Sequence, residues 1–108
     1  MNRYFYKTNE KDEFGYLKNY KKWNKSIAIE IAKEELIILT SHHWEIIYLI
    51  REFYIEFNIS PSFRMLYQFV KKRKKIKINS LFLFKLFPKG IEIQATKIAG
   101  IPKNHRCI

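Results

Sequence analysis

Thr40-Ser41-His42-His43-Trp44-Glu45-Ile46-Ile47-Tyr48-Leu49-Ile50-Arg51-Glu52-Phe53-Tyr54-Ile55-Glu56-Phe57 is the stretch that decides the fold. Ile46, Ile50, Phe53 and Phe57 recur three or four residues apart, the spacing that places side chains on one side of an α-helix. Trp44, Ile47, Tyr48 and Ile55 widen that row beyond a narrow stripe. Thr40 or Ser41 supplies the side-chain oxygen of an N-cap. A helix with so broad an apolar arc must be covered by other elements, so it is expected to be the most buried of a mainly helical fold.

The flanking segments supply the cover. Upstream, Tyr20, Trp23, Ile27 and Ile31 keep helical spacing, with Lys21, Lys22, Lys25, Glu30 and Glu34 on other faces, which predicts a first amphipathic helix from Asn19 or Tyr20. Before it, two short aromatic stretches, Arg3–Lys7 and Phe14–Lys18, flank the polar turn Thr8–Glu13, and with Gly15 they suit a small β-hairpin. Downstream, Ser60-Pro61 restarts a helix whose core face is Met65, Leu66, Phe69 and Val70 and whose end runs into Lys71-Lys72-Arg73-Lys74-Lys75. Asn79-Ser80 caps a short helix through Leu86 or Phe87, closed by Pro88 and Gly90. A last helix runs from Ile91 to about Ala99 and stops at Gly100, with Pro102 beyond. The expectation is a single domain over residues 1–108, a helical bundle with an N-terminal hairpin and a mobile C-terminal arm from about residue 100 to 108.

Composition narrows the function classes. One cysteine excludes an intrachain disulfide, and three His residues without a neighbouring thiol make no zinc-ligand pattern, so no metal or cofactor is expected. A lone thiol reads as a reducing cytosol, and the N-terminus lacks an apolar core of signal-peptide length. Apolar clusters are broken by charge well short of a membrane span, so the expected protein is soluble and cytoplasmic. The net charge of +11 invites a phosphate-binding reading. Lysine dominates arginine and Ile far exceeds Val and Ala together, however, which A/T-rich coding also produces. Charge is therefore an argument about solubility and steering first.

The single thiol, Cys107, is the next-to-last residue, in Lys103-Asn104-His105-Arg106-Cys107-Ile108. A cysteine used as core filler would sit inside a periodic apolar segment; this one ends a tail punctuated by Gly100 and Pro102. Lys103, His105 and Arg106 favour its thiolate, an effect that solvent and salt screen at a terminus. A displayed reactive sulfur is the sharper reading, beside that of an incidental thiol on a chain end.

Asp12-Glu13-Phe14-Gly15-Tyr16-Leu17, Trp23-Asn24, Leu39-Thr40-Ser41-His42-His43-Trp44-Glu45, Ile59-Ser60-Pro61-Ser62-Phe63-Arg64, Leu86-Phe87-Pro88-Lys89-Gly90, Gln94-Ala95-Thr96-Lys97-Ile98-Ala99-Gly100-Ile101-Pro102 and Cys107-Ile108 together resemble the DsrC/TusE family. The blocks keep the family order over nearly the whole chain from Asp12. The resemblance implies an orthogonal helical bundle with a small β-hairpin, and a persulfide carried on Cys107 by an arm that moves between partner proteins. Arg64 and Lys103 match basic positions of the family and are candidates for holding the arm or steadying the thiolate; solvated side chains are the alternative. His43, beside Trp44, reads as packing or capping.

One departure separates two branches. Members that work with dissimilatory sulfite reductase resemble this chain but carry a second cysteine where Thr96 stands, which puts a sulfite-reductase role in doubt. The single-cysteine branch implies a sulfurtransferase that takes sulfur from an upstream sulfurtransferase complex and passes it to tRNA 2-thiouridylase for wobble-uridine thiolation. A weak or indirect tRNA contact through Lys71–Lys75 is compatible with that role. A basic RNA-binding module without sulfur chemistry is the other alternative, and no aromatic RNA-platform motif supports it.

Overall fold

The computed structural model describes residues 11, 12, 14–73 and 78–102. Its helices are α1 (Lys25–Glu34), α2 (Ser41–Phe57), α3 (Phe63–Arg73), α4 (Ser80–Leu86) and the short α5 (Thr96–Ile98), with a 3-10 turn at Tyr20–Lys22 and a π-helical turn at Ile91–Ala95 leading into α5. α1 packs on α5, and α2 packs on both α3 and α5. Ile46, Ile47, Leu49, Ile50 and Phe53 of α2 are buried, and around them close Ile31 of α1, Leu66 and Val70 of α3, Leu83 of α4 and Ile98 of α5. The expected central helix is thus central.

Local hydrogen bonds set the boundaries. The expected first helix from Asn19 or Tyr20 is two elements, because Asn24 interrupts it: its side-chain oxygen accepts from Ile27 N at 3.0 Å and starts α1 there. α3 begins later than a Ser60 cap would place it. Ser62 Oγ accepts from Met65 N at 3.2 Å, and the Glu92 carboxylate takes the free Phe63 N–H at 2.9 Å. At the start of α2, Thr40 is the N-cap and His43 turns back to it, Nδ1 accepting from Thr40 N at 3.0 Å. His43 Nε2 lies 2.8 Å from the Leu86 carbonyl, so that nitrogen carries the proton. The ring thereby ties α2 to the end of α4, agreeing with the packing and capping role expected for it.

The N-terminal hairpin is corrected. Arg3–Lys7 lies outside the described residues, and no strand occurs among those described; the pairing there is one antiparallel bridge between Lys11 and Leu17. Thr8–Glu10 and Glu13 of the expected turn also lie outside the described residues, while Gly15 N donates to Asp12 O at 3.0 Å. Asp12 Oδ1 accepts from Phe14 N at 2.8 Å and from Tyr16 N at 3.0 Å, and Gly15 takes the positive φ of +90° that the reversal needs. Leu17 then enters the core.

α1 and α5 end in the same way. After α1, Leu36 N donates to Lys33 O and Ile37 N to Ala32 O; after α5, Gly100 N donates to Lys97 O and Ile101 N to Thr96 O. Each pair is a Schellman closure, which requires a left-handed residue. Gly100 meets the need without strain at φ +75°, whereas Leu36 meets it at φ +62° with its side chain 91% exposed.

Candidate functional site

The candidate site is the root of the C-terminal segment, where the last helical turns meet α1, α2 and the Tyr20–Lys22 turn. The backbone first widens: Thr96 N donates to Ile91 O, five residues back, as a π-helical turn does. Thr96 is 1% exposed, and its hydroxyl donates to Glu92 O at 3.0 Å. The Thr96 side chain is therefore inside the protein and already bonded.

Ile98, Ala99 and Gly100 are held from outside. Trp23 Nε1 donates to Ile98 O at 2.9 Å, and Arg51 donates to Ala99 O at 2.8 Å and to Tyr20 O at 3.0 Å. The Arg51 guanidinium lies over the Trp23 ring, 4.2 Å from its centroid, and also faces Tyr20 at 5.8 Å. Burial lowers the Arg51 pKa from its ordinary value, against the opposing pull of Tyr20 and Tyr48. Gly100 is pressed against Trp23 so closely that a Cβ would overlap the indole Cδ1, Cγ and Cβ atoms. Ile101 is fully buried and Pro102 partly so. The Schellman closure and the burial of Ile101 hold Gly100 and Ile101 against the bundle.

A polar network braces the opposite side of the same helix. Glu35 accepts from Lys97 Nζ at 2.9 Å and from Gln94 Nε2 at 3.0 Å, while Gln94 Oε1 accepts from Lys89 N at 3.1 Å. Burial alone would raise the Glu35 pKa, but the hydrogen bonds from Lys97 and Gln94 and the charges of Lys97 and Lys89 outweigh it and hold the carboxyl below its ordinary value.

Cys107, Lys103, His105 and Arg106 lie outside the described residues, as do Lys74 and Lys75 of the basic run. Arg64 is exposed in the first turn of α3, and Lys71 and Lys72 are exposed near its end. Among the described residues no group of His, Cys, Asp and Glu is placed to hold a metal ion, and no helix is long and apolar enough to cross a membrane. Sequence reading missed Arg51, Trp23 and Glu35 as parts of one site. The available signal was a cation on α2 three residues after Tyr48 and three before Tyr54, inside an aromatic-rich face.

The profile of the DsrC like protein family matches residues 4–108, and the chain belongs to that family. Sulfurtransferase TusE of Buchnera aphidicola subsp. Acyrthosiphon pisum is 55% identical over 106 residues, covering 97% of this chain and 93% of that one. Sulfurtransferase TusE of Photorhabdus laumondii is 54% identical over 100 residues, covering 92% and 90%. Among solved structures, DsrC of Allochromatium vinosum superposes with a TM-score of 0.78 at 43% identity, covering 91% of this chain and 88% of the other. The oxidized gamma-subunit of dissimilatory sulfite reductase from Archaeoglobus fulgidus gives 0.76 at 35% identity, covering 90% of each.

Proposed function

We propose that Cys107 is the residue on which this sulfurtransferase carries sulfur. The protein is a sulfur-relay protein, as its kinship with the TusE sulfurtransferases shows. The observation that carries the assignment to Cys107 is that it is the only thiol in the chain and follows, by six positions, the buried Ile101 that closes the last helix. Loading proceeds by attack of the Cys107 thiolate on the outer sulfur of a donor persulfide; the donor's S–S bond breaks, its cysteine leaves as thiolate, and Cys107 becomes the persulfide. In delivery an acceptor thiolate attacks that outer sulfur and Cys107 leaves as thiolate, so each exchange balances without an added oxidant.

The donor is an upstream sulfurtransferase complex and the acceptor a tRNA 2-thiouridylase, with the product 2-thiolation of wobble uridine in the cytoplasm. Contact with tRNA is weak or indirect. The chain works as one domain whose terminal arm moves between the two partners, and Arg64 and Lys103 support the arm or its thiolate. The sulfite-reductase reading gains from the solved DsrC relatives, but Thr96 removes the second thiol that an internal disulfide would need to release reduced sulfur. Intact-mass measurement after incubation with a persulfide donor tests the assignment: one added sulfur, absent in Cys107→Ser, is expected. Equal loading of the serine variant would remove Cys107 from the mechanism, and turnover with sulfite reductase but not with thiouridylase would overturn the choice of acceptor.

A further inference from the structure

Arg51 is half-buried, and among the described residues no carboxylate pairs with it; its charge rests on two backbone carbonyls and two aromatic rings. For stability alone this is a poor arrangement, since a partly desolvated cation without a counter-ion gains less than an apolar side chain of its size would. What the arrangement does is specific. One plane of nitrogen donors joins Ala99, the last residue before the left-handed turn, to Tyr20, and its flat face is seated on Trp23, which itself holds Ile98 and blocks Gly100. The bonds to Ile98 O and Ala99 O and the contact at Gly100 fall on three consecutive residues of the last turn, and the bond to Tyr20 O ties that turn to the start of the chain's first helical segment.

We propose that Arg51 is a positioning residue for sulfur transfer: with Trp23 it fixes the Ile98–Gly100 turn from which the chain runs on to Cys107. The proposal rests on Cys107 being the carrier. Cys107 stands six positions after Ile101, so the sulfur is confined to within about 20 Å of the buried Ile101 even when the chain is fully extended. Over so short a tether the orientation of its root governs how often the thiol meets a partner's thiol in line for attack. Lysine cannot replace the side chain, because a single ammonium cannot span both carbonyls and lie flat on the indole.

The test uses the full chain carrying Arg51→Met, which keeps the stem over Trp23, and Arg51→Lys, which keeps the charge. Three quantities are read: thermal unfolding, the rate of Cys107 alkylation by iodoacetamide, and the kinetics of transfer from the persulfidated protein to a thiouridylase. For Arg51→Met the maximal transfer rate should fall about three- to ten-fold, with KM and the alkylation rate unchanged. Arg51→Lys should recover only part of the loss. A folded Arg51→Met protein transferring at the wild-type maximal rate overturns the proposal, as does full recovery by lysine. Failure of both variants to fold also overturns it, by making Arg51 a scaffold residue. A wild-type protein that takes up no sulfur removes the carrier reading and this proposal together, whereas normal loading with undiminished transfer by Arg51→Met removes only the latter.

Discussion

Two residues in the left-handed region make opposite predictions. At Gly100 a methyl group would meet both the φ of +75° and the Trp23 ring, so the indole must move off Ile98 O and out from under Arg51. Gly100→Ala is expected to destabilise by about 2–4 kcal/mol, read as a lowered urea midpoint. Leu36 adopts the same conformation with its side chain in solvent, so little packing is lost when it is removed. Leu36→Gly should raise stability by about 0.5–1 kcal/mol, because relief of the left-handed strain exceeds the added freedom of glycine in the unfolded chain. A drop in stability would contradict the strain assigned to Leu36. Arg51 was not legible as a site residue for a reason also found at this scale: its partners are carbonyls and ring faces far along the chain, and neither leaves a periodic signature.

Between elements, Glu35 is the joint that links the end of α1 to Lys97 and Gln94. A carboxylate whose folded pKa lies below its unfolded one contributes stability that is present above the unfolded value and lost as pH falls through the folded one. The wild type should therefore lose stability on acidification from about pH 7 to about pH 3 more steeply than Glu35→Gln, as measured by urea midpoints across that range. Parallel curves would contradict the joint. Helix positions were largely legible because burial dictates apolar spacing, and α2 and α4 fall where the caps and breakers place them. The starts of α1 and α3 were not, because Asn24 and Ser62 act through single side-chain hydrogen bonds that override the periodicity around them. Asp12 works in the same way, since its carboxylate bonds to two backbone N–H groups and sets a reversal at Gly15 that apolar spacing does not announce.

For the molecule as a whole, the fold was readable from one broad apolar helix and the segments that must cover it, whereas the root of the tail needed coordinates. Cys107→Ser should leave the thermal midpoint within about 1 °C of wild type, because the replacement is nearly isosteric and Cys107 belongs to no periodic apolar segment of the sequence. A larger shift would place that sulfur in the bundle. Lys97, Glu35, Trp23 and Arg51 all grip the chain before Pro102, and the burial of Ile101 ends that grip. The carbonyls of Ile98 and Ala99 and the N–H groups of Gly100 and Ile101 are thus committed to the bundle's own architecture, so whatever chain follows Pro102 inherits a fixed mooring.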